Sequence, residues 1–282
     1  MAHETFIFQS VSPQTAKLVA SFYTVLILTG TVAAVVLIGR ALRQPVDWGS
    51  RVNMMENRPW TWVEGLGVAA IAGILISVTM GVAMLLNHPR ESTLVILQSV
   101  LVDLTGILAI AVVVRRRGGG WANAFGMTAN PLRHIKPGLS FYLAMMPLVL
   151  FASLVYQGIL YSQGYTPGLQ DIALLLSGDH PFWLRFYMAV LAMVIAPVFE
   201  ECLFRGIMLP VMIRGLGMGA GIFATSFVFA AIHFHLPSLV PLIVVASGFS
   251  LAYLYSGSLW VPIIMHGTFN GINLALLLAM RH

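Results

Sequence analysis

The chain has 282 residues, 59% of them hydrophobic and 9% charged, with a formal net charge of +5. So few charges and a mean hydropathy of +0.88 exclude an ordinary soluble domain, in which about a quarter of residues are charged; they indicate an all-α, polytopic membrane helix bundle. The single cysteine, Cys202, excludes an internal disulfide and any cysteine-based metal site. The basic residues sit in loops between apolar spans, which favours anionic headgroups over nucleic acid.

Stretches of about 20 apolar residues predict about eight transmembrane helices, near 18–39, 62–86, 94–114, 139–161, 184–210, 217–234, 238–255 and 260–280. Residues 1–14 lack a basic n-region, and the apolar run after Lys17 is long enough to span, so the first span is expected to be a membrane helix rather than a cleaved signal. Arg40, Arg43, Arg51 and Arg58 follow the first span, and Arg115, Arg116, Arg117, Arg133 and Lys136 follow the third. That asymmetry, with Arg90 as the exception, places these loops in the cytoplasm and the N-terminus outside. Trp48, Trp60, Trp62 and Trp121 lie at span edges, as interfacial anchors do. Gly118-Gly119-Gly120 predicts a flexible break, 122–137 a surface-lying basic segment, and 162–182 the longest outer loop.

Two parts follow from this layout. Residues 1–135 hold spans and cytoplasmic loops without buried chemistry, and 136–282 hold the polar-bearing spans.

The most unusual segment is Pro197-Val198-Phe199-Glu200-Glu201-Cys202-Leu203-Phe204-Arg205-Gly206. An ionised group at mid-membrane costs roughly 2.5–3.5 kcal/mol on insertion scales, so two acids and an arginine within six residues need a reason. On a helix Glu201 and Arg205 are four apart, with the acid N-terminal, and are expected to neutralise one another. Glu200 lies about 100° round the helix from Glu201 and is left as an acid with an open role, suited to accepting a proton. A second acid sharing Arg205 is the structural alternative for it.

Downstream, Phe229-Ala230-Ala231-Ile232-His233 and His266-Gly267-Thr268-Phe269-Asn270 place more polar groups in apolar helices. The turn signal Arg214-Gly215-Leu216-Gly217-Met218-Gly219 is about equally far from Glu200 and His233. An antiparallel hairpin therefore puts both at one depth, where they can share a water molecule. His266 and Asn270 share a helical face, and their N–H groups suit an oxyanion; a helix–helix hydrogen bond is the alternative. A simple up-and-down arrangement would leave His233 far from His266, so convergence requires tilted, broken or short helices, for which Pro237, Pro241 and Gly248 supply candidate breaks. His235 and Asn273 are expected in packing, and Asp103, with Gln98, Ser99 and Thr105, in a separate structural polar cluster.

In this order, Glu200-Glu201-x-x-x-Arg205, Phe229-x-x-x-His233 and His266-x-x-x-Asn270 resemble the CPBP family. These are the CAAX-protease and bacteriocin-processing (ABI) intramembrane endopeptidases, among them the Ras-converting type II CAAX prenyl endopeptidases. Gly248, Leu251, Tyr255, Gly257-Ser258-Leu259-Trp260 and Pro262 look like the context of that family's last motif. The resemblance spans residues 184–275. It implies Glu200 as the general base activating water, His233 as a ligand of that water, and His266 with Asn270 as the oxyanion site. Glu201 and Arg205 would fix the local structure, with Glu201 assisting.

The implied reaction is hydrolysis of a peptide bond in a membrane-associated protein or lipidated peptide, CAAX-type prenylated substrates included. No cofactor is favoured; zinc held by Glu200, His233 and His266 is the alternative, though these residues lack the compact HExxH spacing. The expected location is a prokaryotic cell membrane, the expected partners are substrate and bilayer, and nucleic acid is not expected. A non-proteolytic ion or solute pathway, or an immunity factor that works by binding, would use the same buried polar set.

Overall fold

The computed structural model describes residues 12–85, 100–165 and 181–280. Among these, every regular element is a helix. Helix α1 (Pro13–Arg43) starts at Ser12, whose hydroxyl accepts the Thr15 N–H, with Pro13 pre-set in the first turn, and it ends on Arg40 and Arg43. Asp47 caps the short α2 (Trp48–Glu56). The Ser50 hydroxyl and N–H hold the Asp47 carboxyl below the usual carboxylate range.

Helix α3 is Trp62–Leu85. Next comes α4 (Thr105–Val113), flanked by π-helical turns Val100–Leu104 and Val114–Gly118, and then α5 (Trp121–Phe125). A 3₁₀ turn, Pro131–His134, leads into α6 (Ile135–Ser162).

The C-terminal part is built from one long helical rod and three helices. The rod runs as α7 (Phe182–Val190), a π turn Leu191–Ile195, α8 (Ala196–Glu201), a π turn Cys202–Met208 and α9 (Leu209–Leu216). Then come α10 (Met218–Ala231), α11 (Leu239–Ser256) and α12 (Trp260–Ala279). Helix α1 packs along α6, α6 along α11 and α12, and α10 between α9 and α11.

Six helical segments are long and apolar enough to cross a membrane: Pro13–Arg43, Trp62–Thr79, Pro131–Ser162, Phe182–Leu216, Leu236–Ser256 and Trp260–Ala279. The polytopic helical bundle therefore stands, with six such spans rather than eight among the described residues. The expected sixth span, 217–234, is a 14-residue apolar helix, about 21 Å long and too short to count. The expected third span begins at 94–99, outside the described residues, as do Gln98, Ser99 and most of the outer loop 162–182.

Both π turns in the rod precede a proline, and proline explains their effect. Ala196 donates its N–H to Leu191, five residues back. In that register the next donor would be residue 197, but Pro197 has no N–H, so the Ala192 carbonyl is left to an outside partner. The second π turn repeats this: Leu209 donates to Phe204, and Pro210 follows.

The basic loop end is tied together by arginines. Arg214 on α9 donates to the carbonyls of Glu56 (2.7 and 3.1 Å), Arg58 (2.8 Å) and Trp60 (2.9 Å). Trp60 beneath them is fully buried and meets Phe125 in a tilted ring contact. Arg117 pairs with Glu64 at 2.9 Å. Substituting Arg214→Ala removes the donors for three carbonyls and should cost about 2 kcal/mol, lower the unfolding temperature and open 56–60 to limited proteolysis. Unchanged proteolysis would mean that burial of Trp60 alone holds the segment.

Candidate active site

Glu201 and Arg205 form the buried pair expected from their spacing: both side chains are fully inaccessible, with Arg205 Nη1 2.8 Å from Glu201 Oε1. The second guanidinium arm donates to the Ala246 carbonyl of α11 at 3.1 Å. The guanidinium plane lies between two aromatic rings, 4.6 Å from the Phe229 centroid and 5.2 Å from that of Phe249. Cation–π attraction is strongest when water is excluded, so these rings replace part of the lost hydration.

His266 joins the same carboxylate. Its Nδ1 is 2.8 Å from Glu201 Oε1 and its ring stacks on Phe249, centroids 5.1 Å apart. A carboxylate oxygen only accepts, so Nδ1 carries the proton and Nε2 is the atom left for chemistry. That Nε2 lies 3.7 Å from Glu200 Oε2. Glu200 is the more open of the two acids, its side chain 23% exposed, yet its Oε2 is buried without a hydrogen-bond donor among the described groups.

His233 sits just beyond the end of α10. Its Nδ1 donates to the Phe229 carbonyl at 2.7 Å, one of the last carbonyls of that helix, which fixes the same tautomer as in His266. The Phe229 ring contacts both histidines, with centroid distances of 4.8 Å to His233 and 5.8 Å to His266. The shortness of α10 brings His233 against the same Phe229 ring that His266 touches. The helix stops at Ala231, and Phe234, at φ +49° and 93% exposed, turns the chain back into α11.

The hairpin expected at 214–219 is present, with Gly217 at φ +79° supplying the turn. Among the described residues Glu200 comes within 3.7 Å of His266, and no hydrogen bond joins it to His233.

Asn270 points its amide into the rod, Nδ2 donating to the Ala192 carbonyl at 2.7 Å. This is the carbonyl that Pro197 leaves unfilled. Helix α12 reaches it because Gly267 lets the backbones meet: a Cβ there would lie 2.5 Å from the Met193 carbonyl oxygen. His266 and Asn270 thus share a face, as expected, with one group on the Glu201 carboxylate and the other on the π turn.

Of the remaining sequence candidates, His235 Nδ1 is 2.8 Å from Ser238 Oγ, in the turn after α10. Asp103 lies in the π turn before α4 and interacts electrostatically with Glu200, so it is nearer the site than an isolated cluster would be. Phe249 was not singled out by the sequence, because one aromatic in an apolar helix looks like ordinary core. Its spacing from Ala246, the acceptor for Arg205, becomes meaningful only once Arg205 is placed.

For zinc, the fit is poor in this arrangement. Among the described residues no three His, Cys, Asp or Glu side chains converge as a ligand set. His266 Nδ1 is committed to Glu201, and His233 Nδ1 to a carbonyl.

A multi-pass helical bundle that buries a carboxylate–arginine–histidine cluster, with a second carboxylate at its edge, defines an integral membrane protein with a candidate catalytic centre. Residues 181–272 match the family model described as "Type II CAAX prenyl endopeptidase Rce1-like". That segment, about a third of the chain, carries all six site residues and is similar to the CAAX-protease family in the part that holds the cluster. Comparison with curated proteins and with solved structures finds no match.

Proposed function

We propose that this protein is an intramembrane endopeptidase that hydrolyses a peptide bond of a membrane-associated substrate, CAAX-type prenylated chains included, through a water activated by Glu200. The observation that carries this reading is the 3.7 Å gap between Glu200 Oε2 and His266 Nε2. One water can sit about 2.8 Å from both atoms, giving one hydrogen to the carboxylate and one to the imidazole lone pair. Its own lone pair then faces outward, ready to attack a carbonyl carbon.

In the attack Glu200 takes a proton from that water as the C–O bond forms, and later gives it to the leaving amine as the C–N bond breaks. Glu201 holds His266 in the tautomer that accepts from the water, and Arg205 pairs with Glu201 as its counter-charge. The resemblance assigns the oxyanion to His266 and Asn270. The Asn270 amide has one N–H on Ala192 and a second available for the developing charge. As the tetrahedral carbon forms, the remaining hydrogen of the attacking oxygen passes to His266 Nε2, and the imidazolium so formed, stabilised by Glu201, turns that N–H to the oxyanion. His233, with Nδ1 anchored on Phe229, presents Nε2 as a further acceptor or donor at the mouth of the site. No step is routed through a metal.

The test uses purified protein in nanodiscs with a fluorogenic prenylated peptide. His233→Ala and His266→Ala should each lower kcat/KM, His266→Ala the more severely. Normal turnover in both variants would overturn the reading. Activity lost on chelation and restored by zinc would overturn the metal-free water in favour of a rearranged Glu200, His233 and His266 ligand set.

A further inference from the structure

Two hollows of the described chain lie away from the catalytic cluster. They lie at the basic loop end and share one wall, Tyr255. The first, about 370 Å³, is lined by Asp47, Arg51 and Met54 from the α2 side. The second, about 400 Å³, is lined by Arg133, His134, Pro137 and Phe141 at the entry to α6. Gln44 after α1, Tyr255 near the end of α11 and Val261 in the first turn of α12 also line them. Four apolar helices thus begin or end here, which sets both hollows at the level where a bilayer changes from acyl chains to headgroups.

The charges at this place are largely unspent. The Arg51 guanidinium makes no hydrogen bond or close ion pair among the described residues; it acts on Asp47 only as the weakest of that carboxyl's influences, and its Nη1 rests 3.6 Å from where a Cβ on Gly257 would stand. Arg133 uses only Nε, on His134 at 3.0 Å. The one acid, Asp47, is committed to Ser50 as the α2 cap. Arg40 and Arg43 at the end of α1 add positive charge to the approach. Below the rim the surface turns aromatic and apolar, with Phe141 edge-on to Tyr255 at 5.1 Å.

We propose that the paired hollows form a binding site for an anionic phospholipid. Its phosphate lies between Arg51 and Arg133 over the Tyr255 ring, and its acyl chains descend past Phe141 and Val261. The rim supplies the planar donors that recognise phosphate, and the depth matches a headgroup. Bound there, the lipid bridges α1 and α2 to α6, α11 and α12, giving the N-terminal part a role in holding the core. The inference is independent of the proteolytic reading.

The probe is dioleoylphosphatidylglycerol against dioleoylphosphatidylcholine, added to delipidated protein in neutral detergent, with bound lipid counted by native mass spectrometry and stability followed by thermal unfolding. One phosphatidylglycerol should bind in preference and raise the unfolding temperature. The R51Q/R133Q variant should bind it about thirtyfold more weakly, two cations at the surface contributing about a fivefold factor each. Arg116→Gln, away from the hollows, should bind normally, and R51K/R133K should retain much of the affinity.

Equal binding of the two lipids, or undiminished binding by R51Q/R133Q, would overturn the proposal. So would an equal rise in unfolding temperature with inorganic phosphate alone, which would indicate a simple anion site.

Discussion

Replacing Glu200 by glutamine should lower kcat by about 10²–10⁴-fold, the range general acid–base catalysis contributes, while leaving the fold intact. The amide keeps the size and position of the carboxyl but takes no proton from water. Glu200 is the acid on which such a change is clean. It makes no hydrogen bond to Arg205, whose two arms go to Glu201 and Ala246, and its side chain is partly exposed. Thermal unfolding of the variant should therefore stay within about 0.5 kcal/mol of wild type. Glu201→Gln should behave differently, losing both stability and activity, because one oxygen of Glu201 serves Arg205 and His266 together. A Glu200→Gln enzyme with near-normal kcat would remove Glu200 from the chemistry and shift the base to another group.

The sequence revealed the parts of this site that depend on spacing along one helix. Glu201 and Arg205 pair because residues four apart on a helix are neighbours, whatever surrounds them. The turn at 214–219 was legible from its glycines, and Gly217 takes the positive φ that explains them. What spacing cannot reveal is which of two helices ends early. The 217–234 stretch is apolar throughout and looks like a full span. The structure stops it at Ala231, and only then can His233 approach the level of His266.

The His266–Glu201 contact bridges 65 positions and carries no local signal. The Asn270–Ala192 bond was hidden more deeply, because its acceptor exists through a π register followed by Pro197. A proline five residues after a carbonyl is a trace of that arrangement, but it has meaning only when the π turn is known. Both π turns adjoin α8, which carries Glu200 and Glu201, as such turns often do at functional sites. Here they turn two backbone irregularities into docking points for α12 and the Arg205 layer.

Arg205 offers the largest stability effect. Arg205→Ala leaves Glu201 ionised, fully buried and short of its only full positive charge, a loss of about 3–5 kcal/mol, and empties the space between Phe229 and Phe249. The variant should accumulate poorly and unfold well below wild type. If the unpaired charge is the cause, neutralising the acid should reverse much of the loss. E201Q/R205M removes both charges, keeps an acceptor for His266 and refills the gap with a flexible side chain that packs well on aromatic rings. It should recover at least about 2 kcal/mol over Arg205→Ala yet remain slow, since a neutral amide keeps the His266 tautomer but does not stabilise its imidazolium. Unfolding of wild type, Glu201→Gln, Arg205→Met and E201Q/R205M completes a double-mutant cycle with a coupling energy at the upper end of the range for contacting residues. If E201Q/R205M were no more stable than Arg205→Ala, the loss would lie in the cation–π and Ala246 contacts. The arginine would then hold α11 against the rod rather than serve mainly as the counter-charge of the site.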